Sequence, residues 1–248
     1  MRGMIKKMKV LVILPAYNEA KCIGRTFESV LEFSNIRPWY NFIFVNDGST
    51  DRTKEILDTK LAAGSNSKVR VIGYQNNQGK GYAVRTTAEN AREDYVCFID
   101  SDLAYSLDHL ELIVDKLEEF DVVIGCRNLI PESINQVNLI RKIAGRIFNV
   151  ISRKLLKLPF YDMQAGIKGF KKDVVKEVLQ KQKMTRFSFD VELLFLAKKK
   201  GYSVGQIPVR VSEKHLNKDS KVNLLVDSLR MLIDLFMIRY NDIIGRYE

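Results

Sequence analysis

The sequence predicts an α/β chain built on a mostly parallel sheet flanked by helices, and three observations carry that prediction. Short runs rich in Val, Ile and Phe alternate with amphipathic stretches through the first half. The runs are apolar throughout, as strands covered by helices on both faces are. Polar or acidic residues follow each run directly, and open parallel sheets bind ligands at those strand ends.

The elements read in order as follows. Val10–Leu14 is the first strand, entered from a basic lead (MRGMIKKMK), and Glu19–Phe33 has the apolar spacing of a helix. Phe42–Val45 is the second strand; Thr50 and Asp51 cap a helix over Arg52–Ala63. Val69–Gly73 precedes a helix over Gly81–Arg92, and Val96–Ile99 precedes one over Ser106–Phe120, with Ser106 as cap and Asp108 in its first turn. Val122–Gly125 is the fifth strand. Beyond it the pattern changes. Arg141–Lys157 is helical with six basic residues and no acid, Asp162–Phe170 is punctuated by glycine, and Phe189–Lys200 is a helix. A strand over Val204–Val211, a basic loop over His215–Lys221 and a helix over Leu224–Tyr240 complete the chain. With no repeat and no Pro-, Gly- or Ser-rich linker, residues 1–248 form a single domain.

Composition narrows the function classes. The 248 residues are 46% hydrophobic and 28% charged, which suits a globular chain. Forty Lys and Arg against thirty Asp and Glu leave +10, an excess that suggests an anionic partner: nucleic acid, phosphorylated ligand or acidic membrane face. Cys22, Cys97 and Cys126 are scattered, with no CxxC pair, which argues against a disulfide framework or zinc site and favours a reducing, cytoplasmic location. The first apolar run is too short for a signal peptide, and no window approaches the roughly 18–20 apolar residues of a membrane span. The chain is expected to be soluble or peripheral.

The strand ends carry the chemistry. Asp100-Ser101-Asp102 closes the fourth strand, and residues two apart on a strand point the same way. Two carboxylates placed together call for a cation, and Mg²⁺ or Mn²⁺ shared with substrate phosphates supplies it; helix capping is the alternative. Asp47 leaves the second strand free to accept hydrogen bonds from a base or ribose. Gln78-Gly79-Lys80-Gly81 lacks both the P-loop and the dinucleotide spacing, so Lys80 and Arg85 are either diphosphate contacts or surface cations. His109 is expected to be inert on an exposed helix face, and His215 is a candidate anion contact. No nucleophile–His–acid order is present, which argues against covalent catalysis. Asp190 and Glu192 begin a helix, where acids are favourable in any case.

Taken together, PAYNEA (15–20), VNDGSTD (45–51), NQGKGYAVR (77–85), DSDLAY (100–105), GCR (125–127), DMQAGIKGF (162–170) and FDVELL (189–194) resemble glycosyltransferase family 2. The likeness runs from about residue 8 to 240 and is strongest to the polyprenyl-phosphate sugar transferases, the dolichyl-phosphate β-glucosyltransferases in particular. It implies a GT-A fold, a UDP- or GDP-hexose donor (UDP-glucose by preference), a divalent cation and an inverting displacement onto a polyprenyl phosphate. It also implies a nucleotide-sugar half over about 8–127 and an acceptor half over about 128–248. Carried over by position, Pro15, Ala16, Tyr17, Glu19, Asp47, Lys80 and Ser101 serve the nucleotide sugar, with Lys221 closing over it. Asp100 and Asp102 serve donor and metal. Arg127 and Arg141 bind phosphate groups and belong with Asp190 to the catalytic set, while Gln164, Lys168 and Ser220 line the acceptor side. The sequence departs from the mannose synthases at Ala104, Gly145 and His215, where they have Gln, Ser and Arg. It is also expected to do without the N-terminal anchor of the glucosyltransferases.

Two further choices stay open. A phosphate acceptor is already ionised and needs cations such as Arg127, Arg141, Lys142 and Arg146, whereas a saccharide hydroxyl needs a base, Asp190 or Glu192. A nucleic-acid-binding module is disfavoured by the acids at the strand ends. The last helix, with Asp227, Arg230 and Asp234 on one stripe, either packs on the core or rests on a membrane surface.

Overall fold

The computed structural model describes residues 8–64, 66–130, 139–186, 188–212 and 224–248, with the backbone alone for 139–144, 146 and 224–228. Seven strands form one sheet in the order β3-β2-β1-β4-β6-β5-β7. They are β1 (Val10–Ala16), β2 (Tyr40–Asp47), β3 (Val69–Tyr74), β4 (Tyr95–Ile99), β5 (Val122–Cys126), β6 (Ile167–Lys171) and β7 (Val204–Pro208). All neighbours are parallel except β6, which runs antiparallel between β4 and β5. The carboxyl ends of the other six strands therefore share one edge with the start of β6.

Among the described residues, eight helices flank the sheet: α1 (Ile23–Ile36), α2 (Thr53–Ala63), α3 (Lys80–Ala88), α4 (His109–Leu117), α5 (Leu139–Leu156), α6 (Lys172–Lys181), α7 (Phe189–Lys199) and α8 (Leu224–Ile243). Because strand side chains alternate, β1 feeds two cores. Leu11 and Ile13 face Phe98, Phe170 and Phe189 on one side, while Val12 and Leu14 face Phe27, Phe42 and Phe44 on the other. Phe170 and Phe189 are wholly buried, each worth about 1.5–3 kcal/mol of transfer free energy.

The five expected strands of the first half are present, and the differences lie elsewhere. The glycine-punctuated segment contains β6, and α6 follows it without a break. Gly169 explains why this strand lacks a strand's usual composition: a Cβ there would stand 2.2 Å from Ile113 Cγ2, so the glycine lets α4 press onto the sheet. The first helix starts at Ile23 rather than Glu19, because residues 18–20 are tied to the loop after β2. The fourth starts at His109, since residues 106–110 close short turns (His109 N to Ser106 O, 3.1 Å; Leu110 N to Leu107 O, 2.9 Å). His109 itself is half-buried, with Nδ1 3.0 Å from Ser106 O, not exposed as expected.

Candidate active site

The loops after β1 and β2 are clipped together. Asn18, at φ +55°, accepts from Thr50 N at 2.8 Å; Glu19 N donates to Thr53 Oγ1 at 2.7 Å and Ala20 N to Asp51 Oδ2 at 3.1 Å. Pro15 and Ala16 lie inside the sheet, so they shape the wall rather than offering side chains to a ligand. Tyr17 stands 40% exposed at the rim, and Glu19 is half-buried with its carboxylate receiving Cys22 Sγ–H.

Asp47 is not free, contrary to the expectation for it. Its carboxylate is buried and accepts from Asn77 Nδ2 (2.8 Å), Gln78 N (2.8 Å) and Gly79 N (2.9 Å). Both oxygens are spent on shaping the loop that leads into Lys80, which makes Asp47 a positioning residue. Gly79 (φ +100°) and Gly81 let that loop lie against the segment before α7, where Gly81 N donates to Thr185 O at 2.8 Å. A Cβ at Gly79 would meet Thr185 O at 2.3 Å, and one at Gly81 would meet Phe189 Cβ at 2.6 Å.

Asp100, Ser101 and Asp102 form a tight turn off β4. Leu103 sits at φ +51°, an uncommon conformation for a bulky residue, with its N–H on Asp100 O (3.0 Å). Asp102 Oδ1 accepts from Ala104 N at 3.1 Å. Ser101 is buried, and its carbonyl accepts from Thr26 Oγ1 at 2.8 Å. The antiparallel β6 brings Gly166 against this turn, and Gly166 O accepts from Asp100 N at 2.9 Å. A Cβ at Gly166 would lie 1.7 Å from Asp100 Oδ2, so the carboxyl occupies the space that the missing side chain leaves.

Four charges alternate beside that turn. Lys80 Nζ is 2.7 Å from Asp100 Oδ1 and 3.8 Å from Asp190 Oδ2, and Asp190 Oδ1 is 2.6 Å from Lys168 Nζ. Phe98 and Phe189 wall the chain, with Lys80 Nζ 5.3 and 5.4 Å from their ring centres. Burial pushes the Asp100 carboxyl up, although Lys80 pulls against it. Burial would lower Lys80, but Asp100 and Asp190 outweigh it and hold the ammonium above its ordinary value. Lys168 is pushed down by burial despite Asp190. Lys168 is wholly enclosed and also donates to Ala165 O at 2.8 Å, so it supports Asp190 from beneath and does not face an acceptor as expected.

Arg127 follows β5 and is locked to Asp162, with Nε to Oδ2, Nη2 to Oδ1 and its own N–H to Oδ2 all at 2.8 Å. Asp162 is 2% exposed and Arg127 40%, so the guanidinium is held from behind with one face outward. Burial alone would raise Asp162, but Arg127 overrides it and holds the carboxyl below its ordinary value. Tyr105 is buried nearby, its hydroxyl pushed up to about 12 by burial. Gln164 is half-buried in the same stretch. Arg141 belongs to the first turn of α5, but its side chain lies outside the described residues, as do Ser220, Lys221 and His215 altogether.

Glu192 is tied into the fold. It is wholly buried, accepts from Lys183 N (3.0 Å), Met184 N (2.8 Å) and Tyr247 OH (2.5 Å), and so holds the segment before α7. Sequence reasoning missed Asp162, Gly166 and Asp47's loop partner Asn77. The first two stand in the DMQAGIKGF stretch, where the antiparallel strand was the unseen element.

Two oxygen-rich carboxylates at 100 and 102 suit a hard divalent cation. No group of three or more His, Cys, Asp or Glu able to hold an ion is gathered among the described residues. Such a pair fits an ion whose remaining partners are substrate phosphates and water, which is how Mg²⁺ is usually held.

Residues 11–179 match the sequence profile described as glycosyl transferase family 2. Glycosyltransferase AglD of Haloferax volcanii is 31% identical over 229 residues, covering 90% of this chain but 36% of the relative, so the chain spans about a third of that protein's length. A dolichyl-phosphate beta-glucosyltransferase of Dictyostelium discoideum is 26% identical over 257 residues, covering 98% of this chain and 78% of the relative. Among solved structures, glucosyl-3-phosphoglycerate synthase of Mycobacterium tuberculosis, in complex with Mn²⁺, UDP and glucosyl-3-phosphoglycerate, superposes with a TM-score of 0.66. That pair is 17% identical and covers 94% of this chain and 80% of the other. Mannosyl-3-phosphoglycerate synthase of Rubrobacter xylanophilus gives 0.67 at 18% identity, over 96% and 75%. The fold is that of the GT-A glycosyltransferases, and the chain belongs to glycosyltransferase family 2.

Proposed function

We propose that this glycosyltransferase moves a hexose, glucose from UDP-glucose by preference, onto a polyprenyl phosphate with inversion at the anomeric carbon. The observation that carries the acceptor class is the state of its two candidate bases. Asp190 directs both oxygens at ammonium groups, and Glu192 is sealed in the core by hydrogen bonds. Neither is presented to a hydroxyl proton. A phosphate monoester is already ionised near neutral pH and needs no base, so it suits a site that offers cations instead.

The residues divide the work accordingly. The clipped loops after β1 and β2, with Tyr17 at their rim, form the nucleotide wall of the half over about 8–127, and Asp47 keeps the Lys80 loop in place. Asp100 and Asp102 would hold Mg²⁺ or Mn²⁺, which when bound offsets charge growing on the departing diphosphate. Lys80 keeps the neighbouring carboxylates compensated. In the acceptor half, about 128–248, Arg127 is fixed by Asp162 and Arg141 adds a second cation to receive the acceptor phosphate. The names of the Haloferax and Dictyostelium relatives support glycosyl transfer in general and the dolichyl-phosphate acceptor class in particular. The Mn²⁺ and UDP bound in the mycobacterial neighbour support the metal and donor. A polyprenyl acceptor would place the protein peripherally at a cytoplasmic membrane face.

A saccharide hydroxyl acceptor is the second possibility, because Lys80 joins Asp190 to Asp100 of the strand-end site. A panel of UDP- and GDP-hexoses with a short polyprenyl phosphate, scored by release of nucleoside diphosphate, tests the proposal. Release from UDP-glucose that EDTA abolishes is expected. Full activity in EDTA would remove the metal assignment, and no release with any phosphate acceptor would remove the acceptor class.

A further inference from the structure

The outward side of α8 is apolar. Leu229, Ile233, Phe236, Met237, Tyr240 and Ile243 fall on one stripe at helical spacing and are 40–69% exposed. The opposite side is used by the protein: Leu235, Ile238 and Asn241 are buried, and Asp242 is paired with Lys199 and Arg239. A helix that turns its apolar residues to the outside, with Asp242 paired and Asp234 half-buried, carries an interaction surface. Among the described residues, no helix is long and apolar enough to cross a membrane.

The neighbouring helix indicates the kind of partner. α5 packs against α8 and contains five Lys or Arg and no acid, with Lys157 just beyond. Its exposed side has Ile147 and Val150 followed by Lys154 and Lys157. A two-fold pairing of identical copies sets each patch against itself, and two such basic helices would repel. An anionic lipid surface satisfies both parts: the apolar stripe enters the boundary of the acyl chains while the cations meet headgroups.

We infer that α8 and α5 form a docking face for an anionic bilayer, with α8 lying in the interface plane. The docking itself rests on the exposed stripe and charges; its use, bringing the site to a lipid-borne acceptor, rests on the proposed function. The experiment is co-sedimentation of the full chain with vesicles of phosphatidylcholine alone or with one quarter phosphatidylglycerol, both free of polyprenyl phosphate. The chain is expected to partition at least tenfold more strongly onto anionic vesicles, and Ile233→Glu with Phe236→Glu should reduce that binding at least tenfold. Circular dichroism and turnover on a short, water-soluble acceptor should stay unchanged in that variant. Lys154→Gln with Lys157→Gln should reduce only the anionic preference.

Equal binding by the wild type to both vesicle types, none to either, or undiminished binding by the glutamate variant would overturn the inference. A dimer in solution that the glutamate variant dissociates would instead assign the face to a second copy. Vesicle binding without transfer to any polyprenyl phosphate would leave the docking face standing and sink the acceptor assignment. Transfer without vesicle binding would do the reverse.

Discussion

Lys80 holds Asp100 from a distance of 2.7 Å, while a third of that carboxyl side chain stays open to solvent. The same ammonium reaches Asp190 at 3.8 Å, so one lysine from the start of α3 compensates acids from β4 and α7. The loops that place it depend on Asp47 behind and on Gly79 and Gly81 against residues 185–189.

Removing that ammonium should therefore disable the site without unfolding the chain. Lys80→Met is expected to lower kcat/KM by about 10²-fold or more, the size usual for a preorganised charge at a reacting centre. Steady-state kinetics beside far-ultraviolet circular dichroism measure it; near-native kcat/KM would show that the lysine is only structural.

Gly166, just before β6, and Gly169 within it should separate function from stability. In Gly166→Ala the new methyl meets Asp100 Oδ2, so turnover should collapse with a small change in Tm. In Gly169→Ala the methyl meets Ile113 of α4 instead, which should cost about 1–3 kcal/mol of stability and leave the folded fraction active. Urea unfolding and specific activity of both variants decide; the reverse pattern would contradict the placement of β6.

The Arg127–Asp162 pair makes a signed prediction about acid. The folded Asp162 carboxyl lies below its ordinary value, so its stabilisation is present above that value and is lost as pH falls through the folded one. Asp162→Asn should flatten the fall in stability below about pH 4, the ordinary range of an aspartate. Arg127→Ala strands the buried acid and should cost about 1–3 kcal/mol at pH 7, less than for a fully enclosed pair because Arg127 is partly exposed. Urea midpoints between pH 3 and 7 measure both; a wild-type slope retained in Asp162→Asn would refute the pairing.

Sequence patterning revealed much of this architecture, for identifiable reasons. The buried strands carried Val, Ile and Phe in unbroken runs, and each ended in a polar cluster, so Asp100 and Arg127 stood at strand ends, while Lys80 stayed open between a diphosphate contact and a surface cation. β6 stayed hidden because Gly169 inside it and Gly166 just before it interrupt the apolar run that marks a strand, and those absences are what admit Ile113 and Asp100. Asp47, Lys168 and Glu192 have the residue types of ligand contacts. Only three-dimensional packing shows that Asp47 shapes a loop, Lys168 lies beneath Asp190 and Glu192 binds the residue 183–184 turn.

Glu192 and Tyr247 should behave as a structural pair. Tyr247→Phe loses one buried hydrogen bond to a carboxylate and should cost about 1.5–3 kcal/mol in urea unfolding. Activity of the folded variant should remain within a few-fold of wild type; a selective loss of kcat at unchanged stability would mean that Glu192 takes part in the chemistry.

In the proposed reaction the acceptor arrives already ionised, and no carboxylate of this chain abstracts its proton. This is tested most directly by offering UDP-glucose with Mg²⁺ to Asp190→Asn and wild type, each with a short polyprenyl phosphate, the matching polyprenol and a disaccharide. Both proteins should transfer to the phosphate alone, with turnover on it retained in Asp190→Asn. Transfer by the wild type to polyprenol or disaccharide, abolished in Asp190→Asn, would contradict it.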